Sequence, residues 1–160
     1  MNFLEFEVRR NGYIISTDLQ LLDITAIHAY LTRSYWSPGV PREVVERAVA
    51  GSLCFGLYAA DGAQVGFARA ITDGATFAYL ADVYVLEEYQ GQGLGVWLIE
   101  TVLAHPSLQG LRRVLLATRD AHGLYAKFGF HAPARPEIYM EIHTPNLYLK
   151  TIKTEERTGV

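Results

Sequence analysis

The spacing of apolar and polar residues changes rhythm several times along this chain, and each change predicts an element. Positions 7–17 carry strand-like character around Tyr13, Ile14 and Ile15, and Ser16-Thr17-Asp18 breaks it. Over 22–31 the period becomes helical: Leu22, Ile24, Ile27, His28 and Leu31 recur at helix spacing, with the acidic Asp23 in the first turn. A loop rich in aromatics spans 34–41. Pro41 then opens a second helix with Val44, Val45, Ala48 and Val49 on one face, ended by Gly51-Ser52. Strand runs follow at 53–59, 64–72 and 76–86, punctuated by the turn signals Asp61-Gly62 and Asp73-Gly74. A helix over 94–104 places Leu94, Trp97, Leu98, Thr101 and Val102 on a face and stops at His105-Pro106. The run 113–118 reads as a buried strand, 120–128 as a short helix closed by Gly129, and Tyr139-Met140-Glu141-Ile142 as a last strand. The polar stretch 151–160 reads as a loose tail. This order gives a single α/β (α+β) domain over 1–150 with a mixed sheet.

The third strand run meets the third helix at Tyr89-Gln90-Gly91-Gln92-Gly93-Leu94-Gly95. Glycine lets backbone N–H groups converge without a Cβ in the way. The helix N-terminus behind them adds unpaired donors and a partial positive charge. Together they form a cradle suited to a phosphate or pyrophosphate. A dinucleotide fingerprint needs Gly-x-Gly-x-x-Gly or Ala in an opening βαβ unit; here Val96 fills the last position and an antiparallel meander precedes the loop. A nucleotide P-loop needs Gly-Lys-Ser/Thr, which is missing. A glycine-rich turn that only joins strand to helix is the plain alternative.

Composition narrows the field. The 160 residues are half hydrophobic, enough for one domain with its own core. A net charge of −3 disfavours a dedicated nucleic-acid binder. The single cysteine, Cys54, leaves no internal disulfide and no multi-cysteine zinc pattern, and its apolar surroundings predict a buried structural thiol; no metal site is expected. No apolar stretch has the length of a membrane span, and the start of the chain lacks the features of a signal peptide, so a cytoplasmic protein is expected.

With these residues in view, the chain resembles the GNAT N-acyltransferase superfamily. Gln90-Gly91-Gln92-Gly93-Leu94-Gly95 matches the Arg/Gln-x-x-Gly-x-Gly/Ala signature, and Leu124-Tyr125-Ala126-Lys127-Phe128-Gly129-Phe130 matches a Leu-Tyr-x-Lys-x-Gly-Phe segment. The resemblance covers about 7–145. It implies a mainly antiparallel sheet flanked by helices and splayed between the two strands that hold the acyl-CoA arm. It implies acetyl-CoA as cofactor, with its pyrophosphate on the amides of Gln90 to Gly95 and its pantetheine arm along the backbone of Val83, Tyr84 and Val85. Thr118 stands where relatives often carry an asparagine that contacts the cofactor. Gln90 and Gln92 are neutral where many relatives carry arginine, which leaves backbone donors and the helix dipole to hold the phosphates.

The same resemblance puts Tyr125 in the place of the tyrosine acid that stabilises a departing thiolate; an aromatic core residue is the alternative. An acceptor amine must shed a proton before attack, and Asp82, a carboxylate within an apolar strand, is the candidate base. Equally, Asp82 could be bonded to loop amides or to an arginine such as Arg69. His122 is a secondary candidate. Relatives cover the acceptor side with the first two helices and their loop, which here offer Tyr35, Trp36 and His28, with Tyr30 and Arg33, while Tyr79 and Phe77 face the same cleft if they alternate inward. The implied activity is acetyl-CoA-dependent acetylation of a primary amine by direct transfer, a small molecule in preference to a protein amine. A non-catalytic CoA-binding module on the same fold is the alternative, and a nucleotide-binding oxidoreductase is disfavoured by the missing βαβ unit. Apolar C-terminal strands make a homodimer a further expectation.

Overall fold

Six strands line up in sequence order in one sheet, and only the last pairing is parallel. The computed structural model describes residues 2–149. Its elements are β1 (Glu7–Arg10), β2 (Tyr13–Ser16), α1 (Ile24–Leu31), α2 (Arg42–Ala50), β3 (Leu53–Tyr58), β4 (Gln64–Thr72), β5 (Phe77–Val85), α3 (Leu94–Ala104), β6 (Arg113–Leu116) and α4 (His122–Ala126). The strand order is β1-β2-β3-β4-β5-β6. This is the mixed, mainly antiparallel sheet with flanking helices expected from the sequence.

Local chemistry adjusts several boundaries. The first strand region is a hairpin, because Asn11 and Gly12 adopt φ of 52° and 82°, the left-handed pair that a tight two-residue turn needs. Helix α1 starts at Ile24 because Asp23 caps it, accepting from the Ala26 amide at 3.0 Å. Helix α4 is shorter than 120–128. Its last turn tightens, with Phe128 N bonding Tyr125 O at 3.0 Å, and Gly129 at φ 88° turns the chain away.

The expected strand over 139–142 is a correction: these residues are in no strand. Pro133 and Pro136 precede them, removing two backbone donors, and a 3-10 turn at Pro136–Ile138 breaks the extended path, so that Tyr139 meets β6 through its ring, 5.5 Å from the Arg113 guanidinium. Met140 and Ile142 are left almost fully exposed, at 98% and 104%. Among the described residues β6 is therefore an open edge. The expected tail over 151–160 lies outside the described residues.

Strand alternation feeds two apolar layers. Leu53, Phe55, Val65, Ala78 and Leu80 pack with Trp97, Leu98 and Val102 of α3. On the other face Cys54, Phe67 and Tyr84 pack with Ile27, Leu31, Val45 and Val49 of α1 and α2. Each fully buried aliphatic such as Leu98 or Ile99 contributes about 1.5–3 kcal/mol, which holds α3 against the sheet. Cys54 is buried and its thiol is pushed up to about 12 by desolvation, as a structural cysteine should be. No helix among the described residues is long and apolar enough to cross a membrane.

The sheet opens at one place. Parallel pairing of β5 with β6 runs from Phe77↔Arg113 to Leu80↔Leu116, yet β5 continues to Val85. Two residues past the last pair, Asp82 sits at φ 54°, beside a register shift between Phe67 and Arg69 of β4. An extra residue there raises the local twist and swings the rest of β5 away from β6. Aspartate tolerates this left-handed conformation better than most side chains.

Candidate functional site

The glycine loop closes one end of this opening. Gly91 and Gly93 have φ of 83° and 82°, and Gly93 is the N-cap of α3 with no side chain bonded to the helix end. The first intrahelical bond runs from Trp97 N to Gly93 O at 3.1 Å, so the amides of Leu94, Gly95 and Val96 precede the helical ladder. A Cβ built on Gly91, Gly93 or Gly95 would meet no atom within 4 Å. The space before the loop is open, and the loop's own backbone borders it. Unpaired donors, a helix N-terminus and room for close approach fit a pyrophosphate.

The splayed part of β5 supplies the second wall. Leu86 N bonds Val65 O at 2.8 Å, and in an antiparallel ladder the residue before it turns its amide and carbonyl the other way. Val85 accordingly faces the opening, where its carbonyl accepts from Gln90 Nε2 at 2.9 Å. Val83 lies two residues back with the same period. Tyr84, between them, is buried and stacks on Tyr30 with ring centroids 3.8 Å apart. A cleft of about 730 Å³ joins these parts, bordered by Val83, Tyr84, Val85, Gln90, Gly91, Gly93, Leu94, Gly95 and Tyr125.

A second cleft of about 480 Å³ continues from it between β5 and β6, lined by Tyr35, Trp36, Tyr79, Asp82, Thr118 and Tyr125. Tyr125 and Val83 thus border both. Tyr125 is 8% exposed and packs edge-on against Phe130 at 5.7 Å. Burial, with a smaller contribution from Tyr35, pushes its hydroxyl up to about 12. A phenol so placed can donate a hydrogen bond and holds its proton through the neutral range.

Asp82 has specific partners. Its Oδ2 accepts from Arg69 Nε at 2.8 Å, and its Oδ1 accepts from Trp36 Nε1 at 3.0 Å. Arg69 also donates to Ser52 Oγ at 3.1 Å. The arginine that the sequence offered as a structural partner is therefore in contact, and the indole is fixed at the cleft wall by the same carboxylate.

Three other expected residues are taken up by other contacts, although Thr118 still borders the second cleft. His28 Nε2 lies 2.9 Å from Val40 O and pins α1 to the loop instead of bordering either cleft. Thr118 Oγ1 accepts from Ala121 N at 3.0 Å, which caps the turn into α4. Gln92 accepts from the Tyr13 hydroxyl at 3.3 Å, away from the cleft lining.

Two arginines gain positions that spacing did not reveal. Arg33 forms a two-pronged pair with Glu87 at 2.7 and 3.0 Å and lies 4.3 Å over the Tyr30 ring. Arg119, overlooked in the sequence, lies 3.9 Å over the Tyr35 ring and donates its main-chain N–H to the Tyr35 hydroxyl at 3.1 Å. A basic residue directly after a strand and before the Tyr125 helix was the available signal.

Comparison with known proteins gives one consistent picture. The model of the family described as Acetyltransferase (GNAT) family matches residues 18–130. A candidate acetyltransferase from Gibberella zeae is 39% identical over 140 residues, covering 74% of this chain and 78% of that protein. A crystal structure from Xanthomonas campestris pv. campestris, of a candidate acetyltransferase of the GNAT family, is 51% identical with a TM-score of 0.84, covering 88% of this chain and 99% of that one. A GNAT family acetyltransferase from Elizabethkingia anophelis, solved with acetyl-CoA bound, is similar in fold with a TM-score of 0.60 at 16% identity, covering 85% of this chain and 91% of that one.

Proposed function

The chain belongs to the GNAT acetyltransferase family, and from that premise we propose that it is an acetyl-CoA-dependent N-acetyltransferase acting directly on the primary amine of a small molecule. The observation that carries this reading is the position of Tyr125, which borders both the cleft beside the glycine loop and the cleft between β5 and β6. A donor held in the first and an acceptor held in the second would meet at its hydroxyl.

When bound, acetyl-CoA supplies a thioester carbonyl that is open to attack by an amine and a sulfur that leaves with its electron pair. The chain supplies the rest. The amides from Gly91 to Val96 hold the pyrophosphate, aided by the dipole of α3. The backbone of Val83 and Val85 pairs with the pantetheine arm as an added strand would. Tyr125 stabilises the leaving sulfur by hydrogen bonding. With the phenol raised to about 12 and a free thiol near ~8.5, full proton transfer is uphill by roughly a thousandfold or more, so the hydrogen bond carries the effect.

Asp82 has two readings. Its carboxylate borders the acceptor cleft and retains lone pairs beyond those given to Arg69 and Trp36, which supports a base that takes the amine proton directly or through water. Its two short bonds support an anchor that fixes Trp36 at the cleft wall. Tyr35, Trp36 and Tyr79 supply an aromatic lining suited to a small organic amine. The competing reading, a cofactor-holding module without catalysis, leaves the second cleft without a use.

The proposed setting is the cytoplasm, and the proposed assembly is a homodimer. The open edge of β6 and the unpaired, strand-type segment 139–142 belong to one chain, so two copies would each complete the other. Light scattering of the wild type and of Ile142→Asp checks this: a dimer that the substitution converts to monomer is expected, and a wild-type monomer ends it.

The test of activity is CoA release from acetyl-CoA over a broad panel of primary amines. Amine-dependent release with mass-confirmed N-acetylation is expected. Tight acetyl-CoA binding without release for any amine would favour the module.

A further inference from the structure

The charges around the two clefts are unequally compensated. Asp82 is neutralised by Arg69 at 2.8 Å. Arg33 is neutralised by Glu87 at 2.7 Å. Among the described residues Arg119 and Asp120 have no ion pair, and they stand side by side where the two clefts meet. The glycine loop borders only the first cleft, whereas Arg119 shares both with Tyr125. Arg119 therefore stands at the junction of the two clefts, where Tyr125 also lies.

The Arg119 side chain is exposed but has a defined neighbour. Tyr35 holds Arg119 twice, by its ring under the guanidinium at 3.9 Å and by its hydroxyl on the main-chain N–H at 3.1 Å. An aromatic ring takes up one flat face of a guanidinium and leaves the in-plane N–H fork free. That fork matches a carboxylate in a two-pronged arrangement.

We propose that Arg119 is the carboxylate-binding residue of the acceptor cleft, and that the acceptor is an amino acid with an apolar or aromatic side chain. The neighbouring Asp120 places a negative charge next to the positive one, the pattern that an ammonium and a carboxylate on one carbon present. Tyr35, Trp36 and Tyr79 take the side chain. A polyamine would find one unpaired carboxylate and an opposing cation. This assignment rests on the acyl-transfer reading of the site.

The experiment uses matched pairs: L-phenylalanine with phenethylamine, and L-leucine with isoamylamine. CoA release is measured with acetyl-CoA and, separately, with succinyl-CoA. Calorimetry follows the same four compounds onto the protein saturated with CoA. The amino acid of each pair should exceed its amine by about tenfold or more in kcat/KM, since a site built around a polar group rejects the analogue lacking it. Arg119→Gln should collapse that ratio by raising KM for the amino acid, and Arg119→Lys should restore only part of it. Equal or better turnover of the amines overturns the proposal. So does an Arg119→Gln effect confined to the KM of acetyl-CoA, which would make Arg119 a cofactor contact, or one confined to succinyl-CoA, which would put the carboxylate on the acyl group. Carboxylate-dependent binding without any transfer would sink the transferase reading and leave the subsite standing. Absence of carboxylate-dependent binding would sink the subsite alone.

Discussion

Asp82 and Arg69 meet at 2.8 Å with side chains only 12% and 14% exposed, at the point where β5 parts from β6. The pair connects the wall of the second cleft, through Trp36, to Ser52 just past the end of α2. Asp82→Asn keeps a hydrogen-bond acceptor for Trp36 but leaves Arg69 buried without its counter-charge. Breaking such a pair costs about 3–5 kcal/mol. Urea denaturation should show a loss of that order. If Asp82 is also the base, kcat of the folded variant falls at every pH while acetyl-CoA binding holds. If it is only an anchor, the loss appears in acceptor KM.

Tyr125→Phe removes one hydroxyl from the junction of the clefts. Turnover should fall by about 10²-fold, the usual scale for a positioned acid, with acetyl-CoA affinity by calorimetry changed less than about twofold. Wild-type turnover in the variant would remove Tyr125 from the chemistry. Because its hydroxyl is pushed up to about 12, the alkaline limb of kcat should show no ionisation from this residue below about pH 11.

The glycines of the loop separate backbone conformation from space. Gly93 sits at φ 82°, so Gly93→Ala is strained by about 1–2 kcal/mol and should weaken acetyl-CoA binding and stability together. Gly95 lies in the first turn of α3 at an ordinary φ, with open space in front. Gly95→Leu should keep the melting temperature and weaken acetyl-CoA binding by about tenfold or more, because a single displaced phosphate contact costs on this scale. Unaltered binding in Gly95→Leu would mean that the cofactor avoids the loop.

Much of this arrangement is legible in the chain. The glycine loop, the helix it caps, the three central strands and the Tyr125 segment all follow from local chemistry, since periodicity and turn residues act over a few positions. The Asn11-Gly12 turn was equally local and shows why one strand region becomes a hairpin. What spacing could not reveal depends on distant partners. The twist at Asp82 arises from the register of β4 against β5. His28 is taken up by Val40 and Thr118 by Ala121, contacts that no pattern of residues specifies. The segment 139–142 has strand composition, but two prolines before it decide its path. Arg119 acquires meaning only when Tyr35, far off in sequence, comes under it.

His105 gives a pH signature unrelated to catalysis. It is fully buried, its Nδ1 accepts from Ser107 N at 3.1 Å, and its Nε2 lies 3.2 Å from Leu4 O. Burial lowers its basicity, opposed in part by the Leu4 contact. Below about pH 6.5 the unfolded chain takes up a proton that the folded chain resists, so stability falls as pH drops through that value and is fully present above it. Thermal melts between about pH 5 and pH 7.5 should show this slope, and His105→Asn, though less stable throughout, should flatten it. An unchanged slope in the variant would assign it to other groups.

Buried phenols act at the other end of the scale. Desolvation raises the hydroxyls of Tyr58, Tyr84 and Tyr125. The folded chain keeps protons that the unfolded chain loses above about pH 10, so stability is full below that value and declines above it. Melts extended to about pH 11 should show the decline, and Tyr58→Phe should lessen it.

Tyr125 borders both the cleft beside the glycine loop and the cleft between the parted strands. A crystal structure with acetyl-CoA tests its proposed role most directly. The pyrophosphate should lie on the amides of Gly91 to Val96, the pantetheine arm beside Val83 and Val85, and the thioester sulfur within hydrogen-bond reach of the Tyr125 hydroxyl. A pyrophosphate bound elsewhere, or a sulfur turned away from Tyr125, would contradict the account.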